Sequence, residues 1–485
     1  MRRISREPYY SFLSTHWKKE SKTLLIDENG SYSEKESFDI LCGIINELHS
    51  FGVKRNNVVI LSASSRKETA LIMQAIIAIG AVVFLKDPRI KLEDFLNDLE
   101  ANIKYKTHLY FDDEKWVVSK RKHLSLTPQA IQIKPHLKNR KDVPSIYLTT
   151  SGSSGKNKIV ALSEYTFFNH VIRQHHAAGT TNGCGYLCLP LYHMFGLEML
   201  TIYLTSGNAV YISKSRNPEC AVEIINKYHC TSIPNVPTYY FMLIDVLSRN
   251  KGSVPSLKYG VIAGGSYSKE QFLEIENKLD MTLLSTYGLT EGCTTLTDTY
   301  GIKNPTLRSS GVGKPFPGID VVFKDNNNKI NKLTGEICFK GYNLMLGYLK
   351  ENGLYLPIDE DGYFHTGDIG SVDSKGIYHI IGRKKDIIIR GGENLSPSLI
   401  EQKMMQLEEI KDVCVAGVKD EKYGEVVGAF IVLSKEISKE DLTIKLKSLL
   451  SKSELPVRII ISKEIPTLNS GKHNKNKVRE LLNEN

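Results

Sequence analysis

Between Tyr147 and Lys158 the chain reads YLTTSGSSGKNK, a strand-like run opening into glycines, hydroxyls and two lysines. Glycines let a backbone curl with its N–H groups pointing inward, hydroxyls add donors, and lysines add charge. That combination suits a polyphosphate. The segment is not a Walker loop, because G-x-x-x-x-G-K-[ST] is not satisfied. Ser153-Ser154-Gly155-Lys156 matches S-x-x-K, but S-D-N, K-T-G and any G-x-S-x-G elbow are absent. A second segment, Ser285-Thr286-Tyr287-Gly288-Leu289-Thr290-Glu291-Gly292, delivers a ring, a hydroxyl and a carboxylate within five positions at an expected strand end. The ring can stack on a base, the hydroxyl bind phosphate, and the carboxylate hold Mg2+. A third, Thr366-Gly367-Asp368, puts a carboxylate beside a glycine, where it can accept both hydroxyls of a ribose. The fourth is Gly382-Arg383-Lys384-Lys385-Asp386 with Arg390-Gly391-Gly392-Glu393, and the fifth is Asn469-Ser470-Gly471-Lys472. Taken singly, these segments have plainer readings: a flexible linker, a strand-end turn, an ordinary turn, a solvated tail.

The elements that must position these residues alternate between β-branched runs and helical patterns. Strands are expected at 58–62, 81–85, 186–191, 209–212 and 259–263 and from 232, with helices at 66–79, 221–228 and 269–279. This βαβα rhythm implies parallel sheets covered by helices, with ligands beyond the carboxyl ends of the strands. From residue 311 short strands at 320–324, 335–340, 369–372 and 378–381 suggest a small, partly antiparallel β region. The last hundred residues mix strands at 387–389, 413–418 and 429–433 with helices at 397–405 and 439–450. The expected fold is therefore α/β. A large N-terminal domain of stacked, mostly parallel sheets plus the β region covers 1–382, and a small α+β domain covers 383–485.

Composition narrows the class. Hydrophobic residues at 41% and charged residues at 24% exclude disorder, collagen and coiled coil. The net charge of +9 is spread along the chain and argues against nucleic acid as a partner. The 8 cysteines contain no C-x-x-C pair, and Cys184, Cys188 and His193 lack the paired spacing of a zinc site. The basic N-terminus has no apolar core of a secretory signal. The apolar run 69–85 is interrupted by Gln74 and Gly80, and reads as a helix then a strand rather than a membrane span. A cytoplasmic protein is expected.

In their order, the segments resemble the superfamily of adenylate-forming enzymes: acyl- and aryl-CoA ligases, stand-alone adenylation domains and beetle luciferases. LTTSGSSGKNKI is similar to the family's phosphate loop, and Pro190-Leu191-Tyr192-His193 to its Pro-Leu-Phe-His segment. Ala263-Gly264-Gly265-Ser266 resembles its adenine segment, and Tyr287 to Glu291 its Tyr-Gly-x-Thr-Glu. Thr-Gly-Asp, Gly-Arg-x-Lys-Asp and a glycine-lysine tail follow in order. The likeness runs from about Leu61 to Arg479.

The resemblance implies transfer of AMP from ATP onto a carboxylic acid, then attack of a thiol on the resulting mixed anhydride. Thr149, Thr150, Ser151, Gly152, Ser153, Ser154, Gly155 and Lys158 would cradle the β- and γ-phosphates. Thr290 would contact the α-phosphate and Glu291 would hold Mg2+. Tyr287, beside Thr286 and Gly288, would sandwich adenine against Gly264, Gly265 and Ser266. Asp368 would accept the ribose hydroxyls with Arg383 assisting, and His193 would line the acyl pocket. Lys472 would bridge the α-phosphate and the carboxylate. The C-terminal domain would turn about a hinge at Lys385, bringing Gly391 and Gly392 to a pantetheine arm. The thiol is CoA in an acyl- or aryl-CoA synthetase. In a stand-alone adenylation enzyme it belongs to a carrier protein's phosphopantetheine. A non-catalytic nucleotide-binding protein is the reading from another class, and retention of Glu291, Asp368 and Lys472 speaks against it. Two departures stand out: Ile159 replaces the family's glycine after the loop lysine, and Ser470 is inserted before Gly471. Asn235 stands where an amino-acid pocket would need an acidic partner.

Overall fold

In the computed structural model, residues 8–118, 122–132, 140–151, 156–179, 182–467 and 473–484 are described. Two large mixed sheets dominate. One has at its centre the parallel strands Pro144–Ser151, Val82–Lys86, Val58–Ser62 and Thr107–Asp112, with Asn157–Ser163 and Gly347–Lys350 added antiparallel at one side. The other runs in parallel from Thr282–Leu289 through Tyr259–Ile262, Ser232–Asn235, Cys184–Leu187 and Ala209–Ile212 to Thr23–Asp27. Strands of both contribute to one core: Val59, Leu61 and Val83 from the first, Leu25, Val210 and Ile212 from the second.

Every residue of the helix Lys67–Ala78 is buried. A mostly apolar helix buried on every side belongs inside a large core, and its one lysine there, Lys67, is paired with Asp27 at 2.8 Å. No described helix is long and apolar enough to span a bilayer. The helix Lys269–Leu279 shows the opposite pattern. Ser268 and Gln271 close a capping box, and Phe272, Ile275 and Leu279 form the buried stripe.

A separate antiparallel sheet contains Ile319–Lys324, Thr334–Gly341, Phe364–Val372 and Tyr378–Arg383. Beyond Arg383 a short 3-10 turn, Lys384–Asp386, leads to a last sheet of Ile388–Arg390, Glu393–Leu395, Gly424–Leu433, Ile410–Asp420 and Arg458–Ser462. The hydrophobic cores on the two sides of that turn share no residue: the last residue packed against one is the partly buried Ile380, and the next begins at Ile388.

Two local expectations change. The strand expected at 186–191 is Cys184–Leu187; the chain leaves the sheet before Pro190, which has no N–H for a ladder. Thr366-Gly367-Asp368 is not a free turn but an irregularity inside the strand Phe364–Val372, where the register against Thr334–Gly341 shifts between Glu336 and Cys338. Gly367 has φ +75° there, a conformation that glycine adopts without a Cβ penalty. Tyr287 stands at a strand end, as expected. The strand continues to Leu289, turns through Thr290–Gly292 and returns antiparallel as Thr294–Asp298.

Candidate functional site

The second sheet places its loops at the carboxyl ends of its parallel strands. Ile262 pairs with Ser285, so Gly264, Gly265 and Ser266 emerge beside Thr286 and Tyr287. The three are exposed, and the Tyr267 hydroxyl is hydrogen-bonded to Ser285. Gly288 has no alternative as glycine. A Cβ there would lie 1.1 Å from the carbonyl oxygen of Thr294, which the returning strand lays across it.

Tyr287 is the point where separate segments meet. Its hydroxyl donates to Asp368 Oδ2 at 2.8 Å across 81 residues. Arg383 Nε lies 3.0 Å from Asp368 Oδ1, its side chain half-exposed while the carboxylate is almost covered. Burial first, and then the adjoining carboxylate, push the Tyr287 phenol well above its ordinary pKa, so it is a donor at any physiological pH. The irregular strand beneath is braced. Gly367 N–H donates to Glu336 Oε1 at 3.1 Å, Asp368 N–H to Thr366 Oγ1 at 3.0 Å, and the Thr366 hydroxyl to Ile337 O at 2.8 Å. Burial alone would push the Glu336 carboxyl up, but Lys384 and His365 hold it below its usual range. Lys384 Nζ sits 2.9 Å from Glu336 Oε2, so the turn at Lys384–Asp386 is tied to the same brace.

Glu291 faces a different neighbour. The Tyr348 hydroxyl donates to Glu291 Oε1 at 2.8 Å, and the backbone oxygen of Glu291 accepts from Met345 N–H at 2.8 Å. The ammonium of Lys158 lies 4.8 Å from the centre of the Tyr348 ring. Tyr348 pairs with Val160, so the strand after the phosphate-type loop and the turn bearing Thr290 and Glu291 are joined through one tyrosine. Glu291 Oε2 makes no hydrogen bond with a described residue, and a half-buried hard oxygen of that kind fits a Mg2+ ion that keeps phosphate and water as its other ligands. Asn343 Nδ2 donates to Gly292 O at 2.7 Å and closes the turn from behind. Ile159 is fully buried and pairs with both Thr149 and Leu349. It is a core strand residue, which is why a β-branched side chain stands where the family has glycine.

Thr149 and Thr150 end the strand Pro144–Ser151, opposite Ile159 and Lys158. Gly152, Ser153, Ser154 and Gly155 lie outside the described residues, as does Lys472; of Ser151 only the backbone is described. His193 precedes the helix Met194–Ser206, its ring 4.6 Å from that of Tyr192. Asn235 is buried and uses its amide on Cys188 Sγ, at 3.2 Å, and on Val236 N–H, at 3.0 Å. Cys184 lies against Cys230 instead, so the two cysteines of that segment face different partners. Gly391 and Gly392 form the two-residue link between Ile388–Arg390 and Glu393–Leu395, with φ +56° and +90°. Lys385 is exposed. No described hydrogen bond connects Lys385, Gly391 or Gly392 to Tyr287, Glu291 or Asp368. Sequence reasoning missed Tyr348, Glu336 and Asn343. Nothing in their local spacing marks them, because each acts on a residue 31 to 57 positions away.

Comparison with known proteins bears on this geometry. The family described as AMP-binding enzyme matches residues 15–349, and the AMP-binding enzyme C-terminal domain matches 399–472. The chain is 26% identical over 465 residues to 2-succinylbenzoate–CoA ligase of Listeria monocytogenes, covering 95% of this chain and 96% of that one. Two solved structures share the fold. The o-succinylbenzoate coenzyme A synthetase of Bacillus subtilis, in complex with ATP and magnesium ion, has a TM-score of 0.81 at 21% identity and covers 98% of this chain and 99% of its own. The anthranilate CoA ligase AuaEII, in complex with anthranoyl-AMP, has a TM-score of 0.86 at 17% identity and covers 100% of this chain and 98% of its own.

Proposed function

The chain belongs to the AMP-binding enzyme family, and on that premise we propose how its residues divide the work. It is an AMP-forming acid–thiol ligase that uses ATP, Mg2+ and CoA. The observation that carries the assignment of roles is the meeting of Tyr287, Asp368 and Arg383.

Asp368 is the acceptor for the ribose hydroxyls, held in place by a phenol on one oxygen and a guanidinium on the other. Tyr287 offers its ring face to adenine, with Gly264 and Gly265 as the opposite wall. Thr149, Thr150 and Lys158 stand at the polyphosphate. Glu291, oriented by Tyr348, is the protein's ligand for Mg2+, which neutralises phosphate charge when bound. Thr290 meets the α-phosphate, and Lys472 supplies the cation that stabilises charge as phosphorus is attacked. His193 borders the acyl pocket. Residues 1–382 and 383–485 are the two domains, hinged at Lys385, and Gly391 with Gly392 gives the thiol arm access.

For the acid we propose an aromatic carboxylic acid. Support comes from the 2-succinylbenzoate and anthranilate ligases among the similar proteins, and from Asn235, which offers no charge to an α-ammonium. The test is pyrophosphate release over a panel of benzoic, fatty and amino acids, with CoA, a carrier protein or neither. Benzoic-type acids should be preferred and thioester should form with CoA. Preference for amino acids with transfer to the carrier protein would overturn the reading.

A further inference from the structure

Two thiols meet at the amino end of the second sheet. Cys184 is the first residue of the strand Cys184–Leu187, and Cys230 stands just before the strand Ser232–Asn235. Gly264, Gly265, Ser266 and His193 follow the opposite, carboxyl ends of strands in that sheet. Cys230 Sγ donates to Cys184 Sγ at 3.7 Å across 46 positions. All 8 cysteines of the chain are free, and among the described residues no other two thiols share a hydrogen bond.

The backbones that carry the pair are already joined. Gly185 pairs with Ser232, the Thr231 N–H donates to Cys184 O at 2.7 Å, and the Thr231 hydroxyl donates to the same oxygen at 3.3 Å. The Cys230 N–H is tied in turn to Ile225 O at 2.9 Å. Adjacent strands run about 4.8 Å apart, and a disulfide bridges Cα atoms about 4.4–6.8 Å apart. Its S–S bond of about 2.05 Å asks the sulfurs to close by roughly 1.7 Å, within reach of side-chain rotation on fixed strands.

The two thiols are not equivalent. Cys230 is fully buried in the core that holds Tyr186, Tyr211 and Ile225, whereas Cys184 is partly exposed. The hydrogen bond from Cys230 outweighs burial and holds the Cys184 thiol below its ordinary pKa; the same contact, and then burial, push Cys230 up. A reachable thiol that ionises readily, beside a buried one that keeps its proton, is the arrangement of an attacking and a resolving cysteine.

We propose that Cys184 and Cys230 are a reversible thiol–disulfide site that takes a hydroperoxide as oxidant, with Cys184 attacking and Cys230 resolving. Cys184 gives its proton to water, and its thiolate attacks one peroxide oxygen. The O–O bond breaks, and the departing hydroxide takes up a proton as water, leaving a sulfenic acid. The Cys230 sulfur then attacks the sulfenic sulfur. The S–O bond breaks, the S–S bond forms, and the leaving hydroxide carries off the Cys230 proton as a second water. Two thiols are oxidised and one peroxide is reduced. A dithiol reductant reverses the change by exchange.

This site goes beyond the function proposed above, and its test does not depend on that function. The protein is treated with hydrogen peroxide at pH 7, blocked with iodoacetamide and mapped by mass spectrometry without reduction. Two of the 8 thiols should be lost, found together as a Cys184–Cys230 cross-link, and recovered with dithiothreitol. In Cys230→Ser, Cys184 should stop at the sulfenic acid and be captured by dimedone; in Cys184→Ser, Cys230 should stay a thiol. Persistence of both thiols in the treated wild-type protein, or dimedone capture at Cys184 equal in wild type and Cys230→Ser, overturns the proposal. Should either serine variant fail to fold, the wild-type map decides alone.

Discussion

Tyr287→Phe isolates the bond on which the nucleotide assignment rests. The change removes one hydroxyl and keeps the ring for stacking. The lost bond runs at 2.8 Å to a carboxylate that is 6% exposed. A hydrogen bond to a charged group contributes about 1.5–3 kcal/mol net. Arg383 remains on the other oxygen at 3.0 Å, but its half-exposed guanidinium is screened by water and compensates little. A loss of about 2 kcal/mol corresponds to roughly thirtyfold. Asp368 holds the ribose equally in the ground and transition states, so the loss belongs in KM for ATP, with kcat changed by less than about threefold. Acid-dependent ATP–pyrophosphate exchange measures both constants. A double-mutant cycle with Asp368→Asn should return a coupling energy of about 1.5–3 kcal/mol. Additivity within about 0.5 kcal/mol, or an unchanged KM for ATP, would refute the reasoning.

Three further outcomes are expected. Tyr348→Phe frees Glu291 Oε1 and should raise the Mg2+ concentration needed for half-maximal pyrophosphate release about fivefold, one net hydrogen bond, with stacking of Lys158 on the ring retained. Lys472→Ala should lower adenylation by roughly 10²–10³, about 3–4 kcal/mol, as expected for one transition-state donor; unchanged exchange would remove Lys472 from the mechanism. Lys385→Pro restricts the backbone at the hinge and should impair thioester formation while sparing pyrophosphate exchange; equal loss of both half-reactions would count against a hinge there.

Much of the frame was legible in the chain itself. The helix Lys269–Leu279 is announced by its capping box and its i, i+3, i+7 apolar stripe, and the strands Val58–Ser62 and Ala209–Ile212 by their β-branched runs. These signals are local, because a helix or strand is specified by neighbours within a few residues. The motif residues were legible for the same reason: a phosphate cradle or a ring beside a carboxylate is a short-range pattern of residue types. The irregular strand at Gly367 and the hairpin folding back over Gly288 were not, because each depends on a partner strand that sequence periodicity does not name.

What the sequence by itself determined is the inventory: which donors, acceptors, rings and cations exist, in what order, and on what kind of element. The tertiary structure alone decided who holds whom. Tyr348 on Glu291, Glu336 under Gly367 and Lys384, and Gln174 on Glu198 are separated by dozens of positions along the chain. A hydrogen bond acts over about 3 Å, so its partners are fixed only when packing brings distant strands to that distance.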